Sequence, residues 1–281
     1  MSEHRKPWHG VVVATSLPFN ADLTVDHGAY AESVARLAAE GVHGVAPNGS
    51  LGEYQTLTYE ERDRVVETAL AAAPDGFTVM PGVGAYGGVE ARRHARFAKE
   101  AGCQAVMCLP PNSYRADDRA VLEHFELVAS AGLPVVAYNN PVDTKVDLRP
   151  ELLATLHAEG FVVGVKEFSG DVRRCYEISE LAPGLDLVIG TDDTVLEVGT
   201  AGAVRAARTD GGARDHRQVK QLTRAGMGWC QGRVCGPAVH CLVAPHRSYT
   251  PTERLVATPL TLGALADLDH ARENAGGAAH E

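Results

Sequence analysis

Leu133-Pro134-Val135-Val136-Ala137-Tyr138-Asn139-Asn140-Pro141 and, twenty-eight residues later, Phe161-Val162-Val163-Gly164-Val165-Lys166-Glu167 are built alike. Each is a short apolar run entered from a turn and left through polar residues, as expected of a strand covered on both faces in a parallel sheet. Pro134 fits the first position of such a strand, where no ladder donor is needed. The same unit recurs in both directions along the chain. Strands are expected at 10–17, 42–47, 77–81, 104–110, 135–139, 162–167 and 186–190, with an eighth candidate at 203–207. Helices of 3.6-residue period are expected at 27–40, 58–73, 88–101, 117–131, 148–159 and 172–181. Thr58 and Glu61 form the sequence signature of a capping box. Gly41, Gly102, Gly132 and Gly160 each follow a helix, where a positive φ is commonly required. Strand starts roughly 25–35 residues apart match one βα unit. Repeated units of this kind build either a closed barrel or an open doubly wound sheet, and the period is the same in both.

The length of 281 residues and an apolar fraction of 45% suit one α/β barrel with a large core. A net charge of −10 disfavours a general nucleic-acid or anionic-membrane surface. MSEHRKPWHG lacks the apolar stretch of a secretory signal, and no run of eighteen apolar residues could span a bilayer. Six cysteines in a chain of this size fit reduced thiols. A soluble cytoplasmic protein is therefore expected.

Residues 1–204 carry the repeated units, and the character changes at 205–281. Between Arg205 and Arg254 nine Lys/Arg stand against three carboxylates, in a stretch also rich in Gly, Pro and Cys. Val204-Arg205-Ala206-Ala207-Arg208 puts arginines where a barrel's eighth strand should be apolar. This C-terminal part is either a divergent tail or a translation from the wrong frame of a GC-rich gene.

Catalytic groups of a barrel lie at the carboxyl ends of its strands. Lys166 ends an otherwise apolar strand, where burial costs an ammonium its hydration unless it is paired or its pKa falls. A lowered pKa supplies the neutral amine that attacks a carbonyl; the other reading is a structural salt bridge to Glu167 or Asp193. Tyr138 ends the preceding strand, so parallel pairing would bring its phenol near Lys166 as a general acid/base, or simply pack it at the mouth. Asn48-Gly49-Ser50-Leu51-Gly52-Glu53 follows the second strand. Its N–H groups form either a nest for an anion such as a carboxylate or a plain glycine-rich turn.

Tyr-Asn-x-Pro at 138–141, Lys-Glu-x-x-Gly at 166–170, Gly-Ser-x-Gly-Glu at 49–53 and Gly-x-Asp-Asp at 190–193 together resemble the dihydrodipicolinate synthase/N-acetylneuraminate lyase family. The likeness spans residues 10–204, about two thirds of the chain. It implies a (β/α)8 TIM barrel, here with an atypical C-terminal region, usually assembled as a homotetramer or dimer. It also implies a covalent lysine imine with no external cofactor and no metal. Lys166 would be the Schiff-base lysine, Tyr138 the proton relay and Ser50 the relay hydroxyl. The backbone of Gly49, Ser50 and Leu51 would hold the carboxylate of a small 2-oxo acid.

Three departures narrow the expected reaction. Leu51 stands where the synthases of the family carry a second hydroxyl. Asp143 stands five residues after the tyrosine, where they place an arginine for the aldehyde's carboxylate. Leu109-Pro110-Pro111-Asn112-Ser113-Tyr114 lacks their aromatic pair. Aldol cleavage or condensation, or dehydration, of pyruvate or a hydroxylated 2-oxo acid is therefore favoured. The alternatives are deamination of a hydroxy-pyrroline carboxylate, a 4-hydroxy-tetrahydrodipicolinate synthase, or an inactive member serving as a binding protein.

Two further motifs compete. Gly82-Val83-Gly84-Ala85-Tyr86-Gly87 matches G-x-G-x-x-G, yet the next strand ends at Leu109-Pro110-Pro111-Asn112, without the acidic residue a dinucleotide's ribose requires. Cys230, Cys235 and Cys241 with His240 and His246 lack the paired C-x2-C of structural zinc and read as scattered thiols.

Overall fold

The computed structural model describes residues 6–191, with 194, 198 and 199 beyond them. The elements below all lie in the first of the chain's two units, Met1–Asp192. The expected eighth strand at 203–207, the 205–281 segment and its cysteines fall outside the described residues.

Seven strands alternate with helices in chain order: β1 (Val12–Ala14), α1 (His27–Ala39), β2 (Gly44–Ala46), α2 (Tyr59–Ala72), β3 (Thr78–Val79), α3 (Gly88–Ala101), β4 (Val106–Cys108), α4 (Asp118–Ala129), β5 (Val135–Asn139), α5 (Pro141–Thr144), α6 (Pro150–Ala158), β6 (Gly164–Glu167), α7 (Val172–Leu181) and β7 (Asp186–Ile189). Every expected strand and helix in this range is present. Most strands are shorter than their apolar runs, while β5 spans the whole of the expected 135–139. Two features were not expected: the single-turn helix α5, and the 3-10 turns Ser50–Gly52 and Tyr54–Thr56 after β2.

Local chemistry explains the helix starts. Thr58 accepts from the Glu61 N–H while the Glu61 carboxylate accepts from the Thr58 N–H, completing the capping box. Asp26, Asp117 and Asp171 cap α1, α4 and α7 with a side-chain oxygen that accepts a first-turn N–H. Gly102 closes α3 at φ +100°, a conformation that favours glycine.

The pairings between these seven strands are all parallel, in the order β1-β2-β3 and β4-β5-β6-β7. The two sheets join at Gly82 and Met107, where Met107 N–H donates to Pro81 O and Val83 N–H to Met107 O, each at 2.9 Å. Seven parallel strands in strict chain order are the wall of a (β/α)8 barrel. A doubly wound sheet would reverse its order at a switch point.

Side chains alternate between two apolar layers. Val65, Val106, Phe125, Val135, Val165 and Ile178 pack between strands and helices. Trp8, Met80, Met107, Val136 and Tyr138 fill the barrel interior. Each large side chain so buried stabilises the fold by about 1.5–3 kcal/mol. At the amino-terminal end, Asp186 Oδ2 accepts from Lys6 Nζ at 2.8 Å and from Trp8 Nε1 at 2.7 Å, fastening the segment before β1 to the start of β7.

Candidate active site

Lys166 and Tyr138 are register partners on adjacent strands, as are Asn139 and Glu167 one position further on. The strand period of two therefore sends the first pair and the second pair to opposite faces of the sheet. Tyr138 belongs to the barrel interior, as does Val188, the partner of Lys166 on β7. Lys166 points inward with them. Its Nζ lies 4.1 Å from the centroid of the Tyr138 ring and 5.8 Å from that of Phe168.

Burial alone pushes the Lys166 amine below its ordinary range, and no carboxylate among the described residues opposes it. The expected alternative of an ion pair with Glu167 is not what forms. Glu167 faces the other way and accepts from Asn139 Nδ2 at 2.9 Å and from the Ser169 N–H at 2.6 Å. Asp193 lies outside the described residues. Gly190 makes room for the amine's stem, since a Cβ there would sit 3.1 Å from Lys166 Cε and 2.7 Å from Glu167 O.

Burial raises the Tyr138 phenol above its usual value; Asn140 works against that shift, while Asp143 and Tyr54 add to it. Ser50 opens the 3-10 turn after β2. The turn's own bonds run from Gly52 N–H to Gly49 O and from Glu53 N–H to Ser50 O. Ser50 and Leu51 are exposed, and the Ser50 hydroxyl forms no hydrogen bond with another described residue. The structure thus joins Lys166 to Tyr138 directly and leaves the Ser50 hydroxyl without a hydrogen bond among the described residues. Asp143 Oδ2 is held by Asn140 Nδ2 at 2.7 Å, and Tyr114 is exposed.

Arg62 was not anticipated as part of this region. It is buried on α2, donates from Nη2 to Gly82 O at 3.0 Å and from Nη1 to Gly84 O at 3.1 Å, and lies 5.1 Å from the Tyr54 ring centroid. Burial pulls its pKa down to about 10. Its place in the stripe with Val65, Val66 and Ala69 was the available signal, because a charge on an apolar face needs a partner. The Gly82–Gly87 loop is consequently explained by packing. Arg62 takes its carbonyls, and a Cβ at Gly82 would come within 2.3 Å of Asn48 O.

A model described as the dihydrodipicolinate synthetase family matches residues 7–227. The chain belongs to the dihydrodipicolinate synthetase family. A 4-hydroxy-tetrahydrodipicolinate synthase of Methanospirillum hungatei is 34% identical over 207 residues, 71% of each chain. Among solved structures, a 2-keto 3-deoxygluconate aldolase from Picrophilus torridus is 26% identical at a TM-score of 0.63, over 68% of this chain and 70% of its own. YagE, a prophage protein of E. coli K12 solved in complex with pyruvate, is 23% identical at a TM-score of 0.65, over 94% and 97% of the two chains, and shows the likeness of fold. The dihydrodipicolinate synthetase family is one of (β/α)8-barrel lyases, in agreement with the strand order above. Among the described residues no group of three or more His, Cys, Asp or Glu side chains could hold a metal ion, and no helix is long and apolar enough to cross a membrane.

Proposed function

We propose that this chain is a Schiff-base lyase acting on pyruvate or a hydroxylated 2-oxo acid, with Lys166 as nucleophile and Tyr138 as proton relay. The observation that carries this reading is the Lys166 amine, half-buried, without a carboxylate partner among the described residues, and 4.1 Å from the Tyr138 ring. The neutral amine adds to the 2-carbonyl carbon. The carbonyl oxygen gains two protons and leaves as water, one proton having come from the amine nitrogen. The resulting iminium draws electrons from the adjacent carbon, so that a carbon–carbon or carbon–oxygen bond there can form or break. Tyr138 passes protons to and from the substrate. The N–H groups of Ser50 and Leu51, unused by the turn from Gly49, fit the substrate carboxylate, with the Ser50 hydroxyl alongside. The chemistry uses no external cofactor. A homo-oligomer and a cytoplasmic location accompany the reading.

The name of the Methanospirillum relative favours a second reading, condensation of pyruvate with an aldehyde to give 4-hydroxy-tetrahydrodipicolinate. Against it stands the Asp143 carboxylate, which disfavours an anionic second substrate at that position. The test is incubation with pyruvate and borohydride, followed by mapping of the modified peptide. A reduced three-carbon adduct on Lys166 is expected; an adduct elsewhere, or none with any 2-oxo acid, contradicts the mechanism. Turnover of a hydroxylated 2-oxo acid, with negligible condensation of aspartate semialdehyde, selects the first reading. The reverse selects the second.

A further inference from the structure

Asn140 is almost fully buried beside Tyr138, at the start of α5. A side-chain amide has one end that accepts and one that donates. The Asn140 Oδ1 takes the N–H of Asp143 at 3.3 Å, capping the helix. The Nδ2 end must then face the other way, with two hydrogens to place. One goes to Asp143 Oδ2 at 2.7 Å and the other to the Tyr138 hydroxyl at 3.4 Å. The opposite orientation would set two donors together at the cap and an oxygen against the carboxylate. Asp143 thus fixes the amide, and the amide can only donate to the phenol. Because the phenol oxygen accepts from Asn140, its own hydrogen is turned away from that side.

Other groups facing Tyr138 are Lys166 over its ring, the Phe168 ring with centroids 6.1 Å apart, Tyr54 from the turn after β2, and Asp143. Asp143 and Tyr54 disfavour a phenolate, and Asn140 favours one.

We infer that Asn140, oriented by Asp143, is a positioning residue for Tyr138: it aims the phenol proton into the barrel mouth and hydrogen-bonds the phenolate once that proton has gone. The inference rests on the relay reading of Tyr138. The transferred proton leaves the phenol oxygen for the substrate and later returns from it, while Asn140 keeps both of its hydrogens throughout.

The experiment is a phenolate absorbance titration of the full chain, with the Tyr138→Phe protein subtracted to isolate Tyr138. Asn140→Ser retains a good helix cap but removes the amide donors. Its Tyr138 titration is expected roughly one pH unit higher, the scale of one lost hydrogen bond to an anion. Asp143→Asn removes a charge that opposes the phenolate, so the titration is expected lower. The basic limb of the turnover–pH profile should move with each. An unmoved titration, or shifts of the same sign in the two variants, overturns the inference. So does an Asn140→Ser protein that loses only thermal stability, since Asn140 would then be a helix cap alone. The titration requires no turnover. Opposed shifts without an adduct on Lys166 would support this hydrogen-bond assignment and reject the lyase reading.

Discussion

Two neighbouring rungs of one strand pair have opposite characters. Tyr138 and Lys166 face the barrel interior, where the amine meets ring faces and no carboxylate among the described residues. One residue further, Asn139 and Glu167 face the helix layer, bonded to each other at 2.9 Å. There the Leu148 N–H adds a bond to Asn139 and the Ser169 N–H one to Glu167. Both rungs bury polar groups. The outer one satisfies them and locks the loops that leave β5 and β6. The inner one leaves its amine poorly solvated, which costs stability and, in the proposed mechanism, supplies the neutral nucleophile. The strand period of two keeps Lys166, the proposed nucleophile, apart from the structural carboxylate of Glu167 although they adjoin in sequence.

The largest effect expected from this contrast is at Lys166. Lys166→Met should abolish borohydride trapping and turnover, and yet leave the chain more stable than wild type at neutral pH. The sign follows from burial, which lowers the folded-state pKa, so that the unfolded chain binds more protons. The penalty is full below the folded pKa and disappears as pH rises toward the free-lysine value of about 10.4. Thermal unfolding against pH should show the two proteins converging at alkaline pH. A less stable Met variant at pH 7 would break the comparison.

Next in size is Tyr138→Phe, which keeps the ring against Lys166 and removes the hydroxyl. A fall in kcat of about 10²–10⁴-fold with little change in KM is expected. A raised KM with unchanged kcat would make the phenol a binding group.

On the outer rung, Glu167→Gln supplies one accepting oxygen where two donors now arrive, leaving one of them opposite an NH2 group. A loss of about 1–3 kcal/mol in denaturant unfolding is expected, with the adduct on Lys166 still forming. Loss of the adduct in a folded variant would show that the rungs are not separable.

The smallest effect is expected at the far end of the barrel. Asp186 is opposed by burial but pulled below its ordinary pKa by hydrogen bonds from Lys6, Trp8 and His9. A carboxylate of lowered pKa contributes stability above its unfolded value, about 3.9, and loses it as pH falls through the folded value. Asp186→Asn should therefore cost about 1 kcal/mol or less at neutral pH, with the difference vanishing in acid and no change in trapping. An equal deficit at every pH would mean that the charge contributes nothing.

What was legible in the sequence was local or periodic. Thr58 and Glu61 announced the start of α2 because a capping box is a three-residue signal. Tyr138 and Lys166 could be paired because each ends an apolar strand of a repeated unit, which fixes their level in the barrel. The rest depended on distant partners. Lys6 meets Asp186 across 180 residues of chain, with no periodicity linking them. Arg62 stands in the apolar stripe of α2, but its partners, the Gly82 and Gly84 carbonyls, lie twenty or more residues away in the chain. Asn140 looked like the variable position of a motif, and only the Asp143 N–H assigns its orientation. The turn at 49–53 was located correctly, while the expected hydroxyl relay through Ser50 remains a proposal, since that side chain is exposed and unbonded to the described residues.

In the proposed mechanism burial, with no carboxylate partner among the described residues, makes Lys166 the nucleophile. The most direct test is the rate of borohydride-trappable adduct formation with pyruvate as a function of pH, read on the Lys166 peptide. A half-maximal rate is expected at a pH below the ordinary lysine value, with the curve retained in Glu167→Gln and absent in Lys166→Met. A curve centred at about 10.4, the value of a free lysine, or an adduct that persists in Lys166→Met, would contradict it.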